Sequence, residues 1–350
     1  MKKNLINVGK YLLSLALGGG LLYLALSGTD VGQVYEDVKN ADWNWLLFSM
    51  AVGLFSHYIR GVRWGMQMRA SGYNPSNLRL FASVMTGYLV NQAIPRGGEV
   101  ARCSILIKSD KIPVTTSLGT VVVERVFDLI ILLSLILLAF VMEFETLDAL
   151  IQDRFSGSEG GSDGPSPLLI LMGAGVLGGV VFLIFRKRIL QIPIFQKLAG
   201  FVQSLIEGAI SIRYMKNPVL FIFYTIVIWV CYIMMTYVAF FAIDGVKDLD
   251  TNLLYFGTIV TIIGGIGMAI PSPGGIGSYH SAVIIVFTTL AVAGAASEEL
   301  GRTFAFAMHA SQFIMMVVAG LAGYIYLTVA PSVDSKMDKT EEIKEEVATA

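Results

Sequence analysis

The chain has 350 residues, of which 55% are hydrophobic and only 15% charged, and its mean hydropathy is +0.69. A typical soluble domain carries about a quarter charged residues, so this composition excludes an ordinary water-soluble fold. Lys and Arg number 25 against 26 Asp and Glu, so the chain lacks the basic excess that is typical of nucleic-acid binding. With only Cys103 and Cys231, a disulfide framework or a cysteine-based zinc site is excluded as well.

Nine apolar runs predict membrane-embedded helices, since about 20 mainly apolar residues cross a hydrocarbon core of roughly 30 Å. They cover residues 11–27, 43–59, 80–94, 116–142, 168–185, 218–243, 253–270, 276–296 and 304–329. The first run also resembles the apolar part of a signal peptide, because Lys2 and Lys3 precede it. We interpret it as a retained span, because the repeat described below requires it.

Basic residues in the short loops predict which side faces the cytoplasm, where Lys and Arg are in excess. Residues 28–42 contain a single Lys, whereas residues 60–79 contain four Arg. The second of these loops and the N-terminus are therefore predicted to be cytoplasmic. We interpret Arg60, Arg63 and Arg69 as ordinary interfacial anchors.

The next apolar run is predicted to be re-entrant. A full crossing by residues 80–94 would place the four basic residues of 96–111 outside, against the orientation above. Its fifteen residues would also rise only about 22 Å as a helix, short of the full core. We therefore predict a hairpin that turns at residues 95–98 and returns to the cytoplasm over residues 99–107.

The second half repeats this pattern in the opposite orientation. Ala-Ile-Pro-Arg-Gly-Gly at residues 93–98 corresponds to Ala-Ile-Pro-Ser-Pro-Gly-Gly at residues 269–275. The predicted fold class is an all-α polytopic membrane protein with an inverted repeat, each half comprising three spanning helices and one Pro/Gly-turned re-entrant hairpin. Its predicted regions are a first repeat (1–155), an external Gly/Ser linker (156–167), a second, inverted repeat (168–330) and a cytoplasmic charged tail (331–350).

The first turn is predicted to bind an anion. Gly97 and Gly98 leave backbone N–H groups at the start of the returning helix, where the helix dipole favours negative charge. Arg96 and Arg102 add guanidinium groups that match a phosphate. Glu99, three positions before Arg102, is predicted to pair with it. The alternative is that both arginines are anchors that reach the lipid head groups.

Ionisable residues also occur near the start of the run at 116–142. Glu124 and Asp128 share one helical face, and Arg125 lies beside Glu124 in the chain. Charges are costly inside a membrane and often mark a substrate or proton path. We interpret the carboxylates as a proton-coupled site or as a counter-charge for Arg102. A structural ion pair near the cytoplasmic interface is an equal alternative.

The second turn is predicted to complete the substrate site. Paired Gly/Pro interruptions in inverted halves indicate a transporter's binding site near the midplane, although single ones often only kink packed helices. The predicted substrate-binding residues here are Pro273, Gly274, Gly275 and His280. His309 and Gln312 in the last run are weaker candidates, because a lone His in a helix bundle is more often a packing partner.

Three motifs together resemble one known family. They are Asn-Gln-Ala-Ile-Pro-Arg-Gly-Gly-Glu-Val-Ala-Arg at 91–102, Glu124-Arg125 followed by Asp128, and Pro-Gly-Gly-Ile-Gly at 273–277. The chain resembles the lysylphosphatidylglycerol synthase membrane-domain family, also called flippase-like, from the first helix to Val329. The resemblance implies a lipid flippase that carries an anionic phospholipid or a lipid-linked molecule between leaflets. The 21 residues after Val329 are too few for an aminoacyltransferase domain, so transport without synthesis is expected.

The expected setting is the inner (cytoplasmic) membrane of a prokaryote, with both termini in the cytoplasm, no cofactor or metal, and possible homo-oligomers. No nucleotide-binding loop is present in the sequence, which favours passive or ion-coupled movement. The main alternative is a membrane-embedded transferase acting on a lipid or polyprenyl-linked substrate, in which Glu124 and Asp128 would hold a metal. A non-transporting membrane scaffold is a third possibility, although charged hairpin turns would be a costly choice for it.

Overall fold

We analysed a computed structural model of the chain, which describes residues 31–142, 212–290 and 295–337 continuously and scattered positions within 16–23 and 144–210. The predicted runs at 11–27 and 168–185 and the linker at 156–167 therefore lie mainly or wholly outside the described residues. The chain divides into two compact units, Met1–Glu124 with Arg213–Ala350, and Arg125–Ile212.

The described part is mostly helical. In chain order its helices are α1 (Val31–Asn40), α2 (Trp43–Ala70), α3 (Asn77–Ala93), α4 (Gly98–Asp110), α5 (Val114–Met142), α6 (Pro218–Phe240), α7 (Leu253–Ala269), α8 (Ser278–Leu290) and α9 (Ala295–Val329). Short 3₁₀ turns occur at Ile212–Tyr214 and Pro273–Gly275. Most predicted runs agree with these helices to within a few residues, because long apolar segments in a membrane satisfy their backbone groups only as helices.

Three described helices are long and apolar enough to cross a membrane: Val114–Met142, Pro218–Phe240 and Ser297–Val329. The run predicted at 43–59 belongs to a longer helix, since α2 continues without a break to Ala70. The end predicted at Ile59 is therefore wrong. Arg60, Arg63 and Arg69, which were expected to lie in a loop, are part of α2, and Arg60 and Arg63 are buried there.

Two helical hairpins, α3–α4 and α7–α8, have matching construction. The first arm has 17 residues in each hairpin and the returning arm has 13. Each first arm is capped by a polar side chain, since Ser76 accepts from the backbone N–H of Arg79 and Asn252 accepts from that of Tyr255. Each first arm ends at an extended isoleucine before a proline, as expected from the steric restriction that proline places on the preceding residue.

The two hairpins meet at their turns. Arg96, in the turn after α3, donates from Nη2 to the carbonyl oxygen of Ala269 at the end of α7 over 2.8 Å. Gln92 of α3 lies against Gly274 in the other turn, where an added Cβ would be only 2.5 Å from Gln92 Oε1. The two turns therefore contact each other, whereas the bases of the hairpins lie away from this contact.

The base of the α3–α4 hairpin is held by the segment that follows α9. Arg79 near the start of α3 donates to the carbonyl oxygens of Ser109 (2.9 Å) and Pro331 (2.6 Å). The N–H of Asn74, before α3, donates to the carbonyl oxygen of Ser335 over 2.7 Å, and Ser335 Oγ donates to Asp110 Oδ1 over 2.9 Å. Both ends of the first hairpin thus lie beside the C-terminal end of α9.

A second group of helix ends, at the starts of α2 and α9 and the end of α6, lies away from the base of the first hairpin. The N–H of Asp42, which caps the start of α2, donates to the carbonyl oxygen of Ala242 after α6 over 2.9 Å. Thr303, in the first part of α9, donates from Oγ1 to Asp37 of α1 over 3.3 Å. The α7–α8 hairpin starts shortly after α6 and ends shortly before α9, so its base lies with this group of helix ends.

Candidate functional site

Glu124 is the centre of a buried charge cluster. Its side chain is fully buried, and its carboxylate accepts from Arg60 in a very close contact. Arg63 Nη2 lies 3.5 Å from the same oxygen, and Arg102 Nη2 donates to the other oxygen over 3.2 Å. These four side chains carry three guanidinium charges against one carboxylate. We call them the arginine cluster.

Helix α6 holds two of the guanidinium groups. Arg60 Nη2 donates to the hydroxyl oxygen of Tyr232 over 2.9 Å, and Arg63 Nη1 donates to Thr225 Oγ1 over 2.9 Å. Arg63 also lies over the ring of Phe221, with its Cζ 5.4 Å from the ring centroid. Since buried charges are stable only when they are paired and hydrogen-bonded, these contacts fix the guanidinium planes that face Glu124.

Arg102 reaches the cluster from the returning arm of the first hairpin. Its guanidinium lies over the ring of Trp64, 4.6 Å from the centroid, a cation–π geometry. Trp64 is itself fixed, since its Nε1 donates to Thr120 Oγ1 over 2.8 Å. Arg102 Nε is buried and has no hydrogen-bond partner within the described ranges. The cluster therefore links the first hairpin directly to α2 and α5.

The interpretation of Arg60 and Arg63 as ordinary anchors is wrong. Arg60 is 3% exposed and Arg63 is fully buried, whereas Arg69 further along α2 is partly exposed. The sequence did contain a signal, because His57, Arg60 and Gln67 recur at helical spacing and predict one polar face on α2. The positive-inside pattern obscured that signal, since the same arginines also fit a loop.

At the first turn, the structure changes the predicted chemistry. The N–H of Gly97 donates to the carbonyl oxygen of Ile94 (3.0 Å), and the N–H of Gly98 donates to Asn91 Oδ1 (2.8 Å). The prediction that both groups are available to an anion is therefore wrong. Arg96 is exposed and adopts a left-handed φ of 59°. Its guanidinium contacts the second turn and not the arginine cluster.

Glu99 and Glu124 were both predicted to pair with Arg102, and the structure shows the pair with Glu124. Glu99 lies in the first turn of α4 and is partly buried. Its pairing with Arg102 stays a prediction. Glu124 thus contacts Arg102, as the counter-charge interpretation predicted. Its carboxylate also contacts two further arginines that were not predicted for it.

Arg125 and Asp128, the next two predicted residues, form their own pair. Their charged groups lie 3.8 Å apart, with the Arg125 side chain 46% exposed and that of Asp128 12% exposed. Within the described residues, no three His, Cys, Asp or Glu side chains form a group that could hold a metal ion. A metal held by Glu124 and Asp128 would gain no third ligand of this kind there.

The second turn is neutral and closely packed. Pro273, Gly274 and Gly275 are buried, and Gly274 has a left-handed φ of 58°. His309 Nε2 lies 2.9 Å from the carbonyl oxygen of Gly274, and its Nδ1 lies 3.3 Å from His280 Nε2. The N–H of Gly277 donates to the remaining nitrogen of His280 over 3.2 Å. The weaker candidate His309 is thus as closely bound to this turn as His280.

Comparisons with known proteins agree with the motifs. The family described as "Lysylphosphatidylglycerol synthase TM region" matches residues 11–320. The chain is also similar to the UPF0104 membrane protein MJ1595 of Methanocaldococcus jannaschii, with 28% identity over 116 residues. That match covers 32% of this chain and 34% of the length of the relative. No solved structure matches the chain significantly.

Proposed function

The chain belongs to the family of lysylphosphatidylglycerol synthase transmembrane regions, and we propose that it moves an anionic phospholipid or a lipid-linked anion between the two leaflets of its membrane. The observation that carries this proposal is the arginine cluster. Three guanidinium groups from two helices converge on one buried carboxylate beside a helical hairpin. Such intramembrane charge is costly and is typically kept for a substrate path.

The positions of the hairpin ends support an inverted repeat. The base of α3–α4 contacts the C-terminal end of α9, whereas the base of α7–α8 lies with the N-terminal ends of α2 and α9. In our proposal both hairpins are re-entrant and approach from opposite faces of the bilayer, with their turns meeting inside it. First arms of 17 residues reach about 26 Å, which suits a hairpin that does not fully cross.

Depth within the helix also supports a transport role for Glu124. It lies ten positions after Val114, the first residue of α5, which corresponds to about 15 Å along the helix axis. Because a helix of 29 residues is about 44 Å long, α5 centred in a core of roughly 30 Å would place Glu124 about 8 Å inside that core. In our proposal the cluster lies on the route that a head group takes when a lipid changes leaflet.

The proposed binding step is an exchange of anions at the guanidinium groups. Glu124 holds Arg60, Arg63 and Arg102 close together before the lipid arrives. A phosphate then accepts hydrogen bonds from the same guanidinium groups, whose planar fork matches its oxygens. Because Glu124 remains nearby, the phosphate is held less tightly than by arginines alone, which favours release on the other side.

We further propose passive or ion-coupled transport without catalysis, in a prokaryotic inner membrane, with both termini in the cytoplasm. In this orientation the base of the first hairpin faces the cytoplasm and that of the second faces outward. Lys108 and Lys111, which are exposed at the base of the first hairpin, and the positive-inside rule support that orientation.

The test is lipid exchange in liposomes that contain the purified full chain. Fluorescent phospholipids with different head groups are followed by their accessibility to dithionite. The native protein is expected to speed the exchange of anionic lipids, and Arg102→Lys is expected to slow it at least about tenfold, because an ammonium lacks the planar fork. Arg69→Lys, in the last turn of α2 and only partly buried, is the matched control.

Two results would contradict the proposal. One is equal exchange with native protein and with Arg102→Lys, which would remove the cluster from the lipid path. The other is no exchange of any lipid by well-folded native protein, together with a new lipid product after incubation. That second result would favour the membrane-embedded transferase.

A further inference from the structure

His57 and Gln312 are neutral polar side chains that are buried without hydrogen-bond partners in the described residues. His57 is 4% exposed and Gln312 is 8% exposed. Both ring nitrogens of His57 and both polar atoms of the Gln312 amide have no partner within the described part of the chain. Leaving a buried polar group unpaired costs about 1–3 kcal/mol, and native proteins contain few such groups. A partner supplied by a bound molecule would explain why they are retained.

His57 lies directly beside the arginine cluster. It precedes Arg60 by one turn on α2, and its ring packs against that of Tyr88 on α3, with centroids 4.7 Å apart. On the other side its ring lies 6.2 Å from that of Tyr232, whose hydroxyl oxygen accepts from Arg60. His57 therefore lies within one helical turn of the arginines that would bind the phosphate.

Gln312, on α9, lies between α2 and the second turn. A Cβ added to Gly53, one turn before His57 on α2, would lie 3.3 Å from Gln312 Oε1. On its own helix α9, Gln312 follows His309 by one turn, and His309 contacts the carbonyl oxygen of Gly274. The amide thus lies between the level of His57 and the neutral second turn.

Gln92, on α3, is a third side chain with an unpaired polar atom in the described residues. It follows Tyr88 by one turn on α3, and its Oε1 is buried with no partner among the described residues, while its Nε2 donates to the carbonyl oxygen of Tyr88 (3.4 Å). The same side chain lies against Gly274. Neutral polar groups from three helices therefore extend from the arginine cluster to the second turn.

We propose that His57, Gln92 and Gln312 form a subsite for the hydroxyl-bearing end of a lipid head group, such as glycerol, whose phosphate binds the arginine cluster. A hydroxyl group both donates and accepts, and the imidazole and amide groups each offer a donor and an acceptor. Unlike the arginines, these groups carry no fixed charge, so they would select by hydrogen bonding within a set of equally charged lipids. This inference rests on the proposed lipid transport.

The test compares two lipids with the same phosphodiester charge. Phosphatidylglycerol carries two hydroxyl groups on its head group, and phosphatidylmethanol carries none. Exchange of both is measured in liposomes with native protein, His57→Phe and Gln312→Leu. The native protein is expected to exchange phosphatidylglycerol about tenfold faster, which corresponds to about 1.4 kcal/mol. Each variant is expected to lose that preference and to exchange phosphatidylmethanol within about twofold of the native rate.

A second measurement separates the subsite from transport itself. The rise in melting temperature of the full chain in detergent is recorded with each lipid. A larger rise with phosphatidylglycerol, absent in His57→Phe and Gln312→Leu, supports the subsite even if no lipid is moved. If His57→Phe does not fold, His57→Leu replaces it. Gln67→Leu, another buried amide on α2 without a described partner, is the control and should retain the native preference.

The outcomes are distinguishable. If native protein responds equally to both lipids in exchange and in melting temperature, the polar groups hold only internal water and the subsite is overturned. The same conclusion follows if Gln67→Leu abolishes the preference as fully as Gln312→Leu. If melting shows the preference but no lipid is exchanged, the proposed transport fails and the subsite stands.

Discussion

The two hairpins have the same backbone construction and opposite chemistry. Each has a capped arm of 17 residues, a proline-containing turn and a returning arm of 13. The first hairpin places Arg102 in a buried charge cluster, whereas the described contacts of His280 and His309 at the second turn involve no ion pair. In the proposed function, the shared backbone construction sets where a head group can pass, while the side chains decide where its charge is held.

The buried residues that pack against the two hairpins also differ, since among the described residues only those behind the first hairpin contact a charged group. Behind the first, Trp64 and Leu106 pack with smaller apolar residues, and Trp64 also carries the guanidinium of Arg102 on its face. Behind the second is an aromatic cluster from four helices, with ring centroids 4.8–6.3 Å apart, formed by Phe240, Phe256, Phe287 and Phe304. The aromatic core is suited to rigid support, since it contains no ion pair that a substrate would have to displace.

The largest effect is expected from removing the centre of the charged region. Glu124→Ala leaves three arginines without the carboxylate that they share, and loss of one partner from a buried ion pair typically costs about 3–5 kcal/mol. His280→Leu, at the neutral turn, is expected to cost only about 1–3 kcal/mol, because hydrogen bonds and not charges are lost. Unfolding of the purified protein in detergent measures both. Equal losses would mean that the two hairpins are not chemically distinct.

An intermediate effect should be shared by both hairpins and so tests their common construction. A Cβ on Gly87 would lie 2.7 Å from the carbonyl oxygen of Gly98, the first residue of α4. A Cβ on Gly267 would lie 2.7 Å from the carbonyl oxygen of Ser278, the first residue of α8. Gly87→Ala and Gly267→Ala are each expected to destabilise by about 1–3 kcal/mol, because the arms must separate.

The control for these glycines is Gly265→Ala, since nothing lies within 4 Å of a Cβ at that position. It should leave stability unchanged or raise it by up to about 1 kcal/mol, because Ala favours a helix. Melting temperatures of the three variants are compared in one detergent. A large loss in only one hairpin would show that the close approach of the arms supports the fold on one side only.

The smallest effect is expected where the two hairpins touch. Arg96→Ala removes the hydrogen bond to the Ala269 carbonyl and should cost about 1 kcal/mol. The left-handed backbone at this position is equally unfavourable for Arg and Ala, so strain does not change. Lys108→Ala, at an exposed position on α4, is the control. A loss above about 3 kcal/mol would instead make Arg96 essential to how the turns meet.

Several features of the fold were predictable because they depend on local chemistry. Apolar runs must be helical in a membrane, and prolines restrict the residue before them, so the helices and both turns follow from the sequence. The pairing of Ala-Ile-Pro segments 176 positions apart, at Ala93 and Ala269, located the two hairpins. Glu124 was recognised as a buried candidate because carboxylates are rare within apolar runs.

The sequence by itself determined that this is a helical membrane protein of a lipid-related family, with two turns of one design. Only the tertiary structure decided that Arg60 and Arg63 are buried, that Gly97 and Gly98 already use their N–H groups, and that His309 belongs to the second turn. The physical reason is separation along the chain. Arg60 and Glu124 are 64 positions apart, and whether an arginine faces lipid head groups or a carboxylate depends on which helices pack together.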